Sequence, residues 1–88
     1  MKEKSELGKE VGKVSHFFDK VGVAVVEILA PIKVGDKIRI RGNTTDFEMK
    51  VGSMQMEHDK IDKAKKGQAI GLKVDDIVRE HDKVYLVK

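Results

Sequence analysis

An all-β fold is what the sequence predicts, on three observations. Apolar residues recur with a period of two in several short runs, as in Lys37-Ile38-Arg39-Ile40-Arg41. Gly22, Gly35, Gly42, Gly52 and Gly67, with the single proline, separate those runs. No long stretch keeps the spacing of an amphipathic helix. Six short strands with turn signals between them describe a small antiparallel barrel or sandwich.

Length and composition bound the answer. The 88 residues suffice for one small domain, which must bury its apolar side chains economically. With no Trp, one Tyr and three Phe, the core has to be built from Val, Ile, Leu and Met. The absence of Cys excludes a disulfide, a thiol nucleophile and a thiolate metal site, and fits a cytoplasmic protein. No apolar run reaches membrane-spanning length, and the N-terminus carries no signal-peptide core. A net charge of +3 permits RNA or an acidic partner without demanding either. The 38% of charged residues are mostly Lys, Glu and Asp, a balance also seen in heat-stable proteins.

Residues 1–10, charged and without periodicity, read as a frayed tail that Leu7 alone could anchor; residues 11–88 read as the domain. The first strand is expected at 11–18. Gly12, Val14, His16 and Phe18 share one face there, and Val11, Ser15 and Phe17 the other. A turn at 19–22 leads to a second strand at 23–29. This pair is apolar on both faces, as in strands buried on both sides or covered by a partner. Pro31 then pushes Ala30 out of the helical region and stops the strand. Gly35-Asp36 supplies a turn with a residue free to take positive φ, and Ile32 and Val34 plug one end of the core rather than form a strand.

The third strand, 37–41, points Ile38 and Ile40 inward and Lys37, Arg39 and Arg41 outward. The three cations repeat about every 7 Å, close to a nucleotide repeat, which suits a strand that tracks a phosphate backbone. The alternative is a solvated face met by acids on the next strand. The fourth strand, 47–57, changes parity: Phe47, Met49 and Val51 share one face, Met54 and Met56 the other. An extra residue at Gly52-Ser53, a β-bulge, restores the inward face. Residues 58–68 read as a loop with one helical turn, because Ile61 and Ala64 are spaced as on a helix. The fifth strand, 69–74, sends Ile70, Leu72 and Val74 inward, with Gly71 outward where another backbone can approach. A turn at 75–77 and a last strand at 84–87 complete the chain.

Groups that could carry chemistry are few. Glu57-His58-Asp59-Lys60 and Glu80-His81-Asp82-Lys83 repeat one tetrapeptide, a set of ligand types that suits zinc. Both copies read more simply as acidic turns at strand ends, so no metal site is expected. Ser15, His16 and Asp19 invite a triad. Yet adjacent strand residues point to opposite faces, and a nucleophile must touch its base. Asp75-Asp76 reads as a turn, and Met54 and Met56 as core filling. Asn43-Thr44-Thr45 matches a glycosylation pattern that is read as turn chemistry only. Lys60, Lys63, Lys65 and Lys66 make a basic loop.

Several segments, in order, resemble the second domain of translational GTPases, the barrel carried by elongation factor Tu and initiation factor two. They are Gly12-Lys13-Val14, Gly22-Val23-Ala24, Ile32-Lys33-Val34-Gly35-Asp36-Lys37-Ile38, the stretch 51–54, Gly67-Gln68-Ala69-Ile70-Gly71-Leu72 and Asp82-Lys83-Val84-Tyr85. The resemblance runs from about residue 11 to the C-terminus and implies a closed six-stranded antiparallel Greek-key barrel. The sequence lacks a GxxxxGK[ST] phosphate loop, so neither GTP binding nor hydrolysis is expected of this chain. Similar barrels occur as accessory domains at the C-terminus of collagenase-like peptidases linked to RNA modification.

The expected function is that of a non-enzymatic, translation-factor-like module without a cofactor. It would bind tRNA or ribosomal RNA through Lys37, Arg39, Arg41, Lys50, Lys63, Lys65 and Lys66. The alternative is a protein-interaction subunit of a larger translation, RNA-modification or peptidase-like enzyme, motivated by the doubly apolar strand pair. An independent hydrolase has no supporting constellation.

Overall fold

The period-two runs become strands in a computed structural model, which describes residues 7–87. Among these residues there are ten strands and no helix. They are β1 (Leu7–Phe18), β2 (Val23–Ile28), β3 (Ile32–Lys33), β4 (Lys37–Arg41), β5 (Asp46–Lys50), β6 (Met54–Met56), β7 (Asp59–Ile61), β8 (Lys63–Ala64), β9 (Ala69–Lys73) and β10 (Lys83–Val87). Eight of them form one antiparallel sheet in the order β5-β4-β10-β1-β2-β9-β6-β7, and β3 pairs with β8 in a separate ribbon. The all-β class therefore stands. The pairing differs from six strands in a closed ring: there are more strands, in two sheets, and the larger sheet's order ends at β5 and β7.

The core is a set of rows running across neighbouring strands. Ile40, Val84, Gly12 and Ile28 lie side by side on β4, β10, β1 and β2. Val14, Val26 and Ile70 make a second row, and Ala24, Leu72 and Met54 a third. All of the apolar members are buried. Each large aliphatic side chain contributes about 1.5–3 kcal/mol by leaving water. Gly12 belongs to its row because a Cβ there would lie 2.6 Å from Val26 Cγ1. The aromatic rings stay out of the centre: Phe17 and Phe47 pack against its margin, and Phe18 is exposed.

β1 starts at Leu7 rather than at residue 11, and it does not keep the expected faces. Its register shifts twice against β10 before Gly12 and once against β2 between Val14 and His16. Val11, Gly12 and Val14 are buried together, while His16 and Phe18, expected on the same face as Val14, are exposed. Each shift inserts a residue that reverses the inward set, which no alternation in sequence reveals. The rest of the expected tail, residues 1–6, lies outside the described residues.

The parity switch in the fourth strand is real. Met49, Val51 and Met54 are all buried, and residues 51–53 interrupt the strand between β5 and β6. The interruption is held by its own bonds: Gly35 N–H donates to Val51 O at 2.8 Å, and Val51 N–H donates to Asp36 O at 2.8 Å. Gly35 takes a φ of 99°, so the expected Gly-Asp turn is formed.

Residues 58–68 hold strands where a loop with a helical turn is expected. Glu57 and His58 both adopt positive φ, 52° and 71°, and close a two-residue hairpin that pairs Met56 with Asp59. β8 follows, so Ile32 and Lys33 form a strand opposite it instead of a plug alone. Spacing of three between Ile61 and Ala64 imitates a helix here because Asp62 bends the chain between two short strands.

Candidate functional site

Three surfaces bear the side chains that sequence singles out. On β4, Lys37, Arg39 and Arg41 face outward as expected, and β5 brings acids against them. Arg39 Nε donates to Asp46 Oδ1 at 2.7 Å and its Nη1 donates to Glu48 Oε2 at 3.1 Å. Lys37 Nζ lies 3.3 Å from Glu48 Oε1. The hydrogen bond to Arg39 holds the Asp46 carboxyl below its usual range, and the same bond raises the Arg39 guanidinium. The register makes this arrangement: Arg39 sits opposite Glu48, and Arg41 opposite Asp46. Lys50 sits opposite Lys37, two like charges with Glu48 against Lys37 to offset them. Lys37 and Arg39 on this stripe are thus neutralised within the sheet, and the acids that do it lie seven to eleven positions along the chain, on a different strand.

The second surface surrounds the β3–β8 ribbon. Pro31, Ile32, Lys33, Asp36 and residues 63–66 line an open concavity of ≈ 670 Å³. Ile32 and Ala64 are buried and back it; Pro31 is exposed in it. Lys33, Lys63, Lys65 and Lys66 rim it, with Asp36 its one acid. Asp36 is already committed: its Oδ2 accepts from Lys33 N–H at 3.0 Å, and its Oδ1 accepts from Lys33 Nζ at 3.2 Å. Among the described residues no carboxylate pairs with Lys63, Lys65 or Lys66. Lys33 faces Lys63 directly across the ribbon. The structure thus gathers three of the expected contact residues, Lys63, Lys65 and Lys66, and adds Lys33. Sequence reasoning missed Lys33 because it lay between turn breakers. The alternation Lys63-Ala64-Lys65 is the signal that could have found the ribbon.

The third surface is the outer face of β1, β2, β9 and β6 at one end of the sheet. Phe18, Val21, Val23 and Val25 line a shallow depression with Met56 and Gly71. Phe18 is 49% exposed and Val21 58%. Gly71 faces outward as expected, with side chains rather than backbone against it: a Cβ there would meet Val23 Cγ1 at 3.2 Å and Gln55 Cγ at 3.3 Å. The expected doubly apolar strand pair is visible here, Ala24 and Val26 buried, Val23 and Val25 half-buried on the outside.

Among the described residues the remaining groups assemble no reactive constellation. Ser15 Oγ donates to Val25 O at 3.3 Å, and His16 Nδ1 lies 3.3 Å from Glu80 Oε2 with its ring edge-on to Phe18 at 4.5 Å. Asp19 joins neither contact. In the two tetrapeptides His58 and His81 both take positive φ, 71° and 76°, and each precedes a new strand by one or two residues. The repeat is turn chemistry. Among the described residues no group of His, Asp and Glu is arranged to hold a metal ion, and no helix is long and apolar enough to cross a membrane.

Comparison with known proteins bears on what these surfaces serve. No protein-family model matches the chain. Over 80 residues, 90% of this chain, it is 46% identical to an uncharacterized protease of Methanocaldococcus jannaschii, of which it covers 20%. Over 77 residues, 85% of this chain, it is 40% identical to a collagenase of Porphyromonas gingivalis, of which it covers 21%. The chain spans about one fifth of the length of the curated relatives it matches. Among solved structures it is similar to the C-terminal domain of a Geobacillus thermoleovorans protein described as a U32 peptidase. The TM-score is 0.84 at 19% identity, over 100% of this chain and 99% of that one. The selenomethionine variant of that domain matches with a TM-score of 0.83, over 88% and 98%. That likeness shows the fold.

These findings correct the resemblance to the second domain of translational GTPases, and with it the translation and elongation-factor reading. The segments that carried the resemblance have a physical explanation. The 32–38 stretch builds a ribbon strand, a glycine turn and the start of β4, while 67–72 builds a turn and β9. They report corner and strand geometry, which does not carry function with it.

Proposed function

We propose that this chain is a non-catalytic accessory module of a larger peptidase-type protein, docked on the body of that protein through the apolar outer face of β1, β2, β9 and β6. One observation carries the reading: the match covers 90% of this chain and only 20% of a protein named a protease. A segment of that size is a part, and the remainder is what it would sit against. The exposed Phe18 and Val21 beside Val23 and Val25 supply apolar surface of the kind that a neighbouring domain covers. The separation of Ser15 and His16 onto different partners supports the non-catalytic part. The cysteine-free composition supports a cytoplasmic setting.

The closed six-stranded barrel belongs to the same proposal. β5 and β6 are one run of chain with a three-residue interruption, β5 bonded to β4 and β6 to β9. Counted as a single bent strand, the run joins the two sides of the sheet and completes a ring of β1, β2, β9, β5–β6, β4 and β10. A kink of this kind lets a small sheet curl on itself.

The test is a graft. The Methanocaldococcus jannaschii relative is made with this chain in place of its matching segment, alongside the isolated chain. The accessory reading expects the graft to unfold in one cooperative transition with the parent's activity kept. The isolated chain should cleave no peptide. Phe18→Ser with Val21→Ser should split the graft's unfolding into two transitions. Peptide cleavage by the isolated chain, or a graft whose unfolding ignores Phe18 and Val21, overturns it.

Contact with RNA is a second reading, favoured by the uncompensated charge of Lys63, Lys65 and Lys66. Lys37 and Arg39, each on an acid of β5, weigh less in it, and Arg41 and Lys50 flank that network. Its test is a tRNA titration at low and moderate salt, where phosphate contacts make affinity fall steeply with salt; binding at neither removes this reading.

A further inference from the structure

We infer that the concavity beside the β3–β8 ribbon is a binding site for a short acidic peptide segment with one aliphatic side chain, supplied by a partner protein. The inference goes beyond the accessory reading and stands on the lining alone. Charge is the first argument. Four lysines and one aspartate line the concavity, and the aspartate is held by Lys33. Lys33 and Lys63 lie directly opposite in the ribbon. Like charges at a cross-strand position destabilise the pair, and an anion between them reverses the sign. On β4 the same chain meets a comparable like-charge pair, Lys37 opposite Lys50, with Glu48. At the ribbon Asp36 takes Lys33 in the same way, and among the described residues no carboxylate pairs with Lys63, Lys65 or Lys66.

The surface between the charges is the second argument. Pro31 presents an exposed ring to it, and Ile32 and Ala64 line it as buried aliphatic residues. Lysines that reach towards an anion lay their methylene stems along such a surface. The result is an aliphatic cradle ringed by ammonium groups, complementary to Asp or Glu on either side of a Leu-like side chain. Single-stranded nucleic acid takes a different lining, one in which aromatic rings stack on successive bases. No aromatic side chain lines this concavity.

Fluorescence anisotropy of labelled probes on the whole chain tests the inference. The probe is a short capped peptide of Asp and Glu with one central Leu. The comparison probes are the same peptide with Ser for Leu, a Lys-for-acid version, and an oligouridylate of similar length. The acidic Leu peptide should bind, more weakly as salt rises. Loss of its Leu should weaken binding about threefold or more, a comparison that needs no variant of the protein. Lys63→Ser with Lys65→Ser and Lys66→Ser should weaken it about tenfold without lowering the melting temperature. Lys37→Ser with Lys50→Ser should leave it as it is. The inference is overturned if the acidic Leu peptide does not bind, if the Ser peptide binds equally well, or if the triple variant binds like the parent. Tighter binding of oligouridylate through the same three lysines also overturns it, in favour of RNA.

Discussion

Two basic regions of this small domain behave differently. On β4, an outward row of cations stands against an outward row of acids on β5, and Arg39 reaches two of them at 2.7 and 3.1 Å. Around the β3–β8 ribbon, lysines outnumber acids and three of them meet none among the described residues. The first arrangement is closed within the sheet; the second is open to solvent. A count of positive residues cannot tell them apart, since both read as runs of Lys and Arg. Register does, because a strand neighbour decides whether a cation is a structural partner or a free one. The lesson extends to the apolar surface. Val23 and Val25 occupy the opposite side of β2 from Ala24 and Val26, and only the outward pair is left for another body to cover.

Substitutions can break or sharpen this contrast. The largest effect is expected beneath the paired stripe: Ile40→Ala, at a fully buried site at the β4 end of the four-strand row, should cost about 2–5 kcal/mol in urea denaturation. Gly42→Ala comes next. A Cβ there would collide with the carboxylate of Asp82, which is buried and accepts from Arg79 N–H at 2.8 Å. Displacing that buried acceptor should cost roughly 1–3 kcal/mol, read in the same denaturation series. Charge reversals should then separate the two basic regions by sign. Arg39→Glu sets like charges against Asp46 and Glu48 and should lower the melting temperature. Lys63→Glu faces Lys33 across the ribbon and should raise stability by about 0.2–1 kcal/mol.

The smallest effect depends on pH. The Asp46 carboxyl is held below its ordinary range by Arg39, so its contribution is present above the unfolded-state value and is lost as pH falls through the lower folded-state value. Melting curves of the parent and of Asp46→Asn should therefore differ at neutral pH and converge once pH has passed below the ordinary carboxylate range. A gap that persists in acid would mean that Asp46 acts through packing or hydrogen bonding alone.

Much of the fold was legible in particular residues. β2, β4 and β9 alternate cleanly, because each has one face in the core and none is interrupted. Gly52-Ser53 revealed a break because apolar residues sit on both sides of it in opposite parity. β1 was not legible. Its register shifts put Val11, Gly12 and Val14 in the core together, and a shift is a property of two strands, not of one. The ribbon escaped because two-residue strands carry no period, and because the hairpin before it uses Glu57 and His58 at positive φ where Asn or Gly is the usual sign. Of the candidate site, Lys63, Lys65 and Lys66 were legible as a basic run. Lys33, brought to them across the ribbon, was not; that acids on the next strand would meet the β4 cations was legible, but which cation meets which acid was not. Both depend on which strands meet.

Backbone amide shifts, followed as the acidic Leu peptide is added to the whole chain, weigh the two regions against each other in one titration. Shifts confined to Ile32, Lys33 and residues 63–66, with Arg39, Asp46 and Glu48 still, are the expected result. Movement at Arg39 and Glu48 with the ribbon silent would contradict the distinction between closed and open charge on which the account rests.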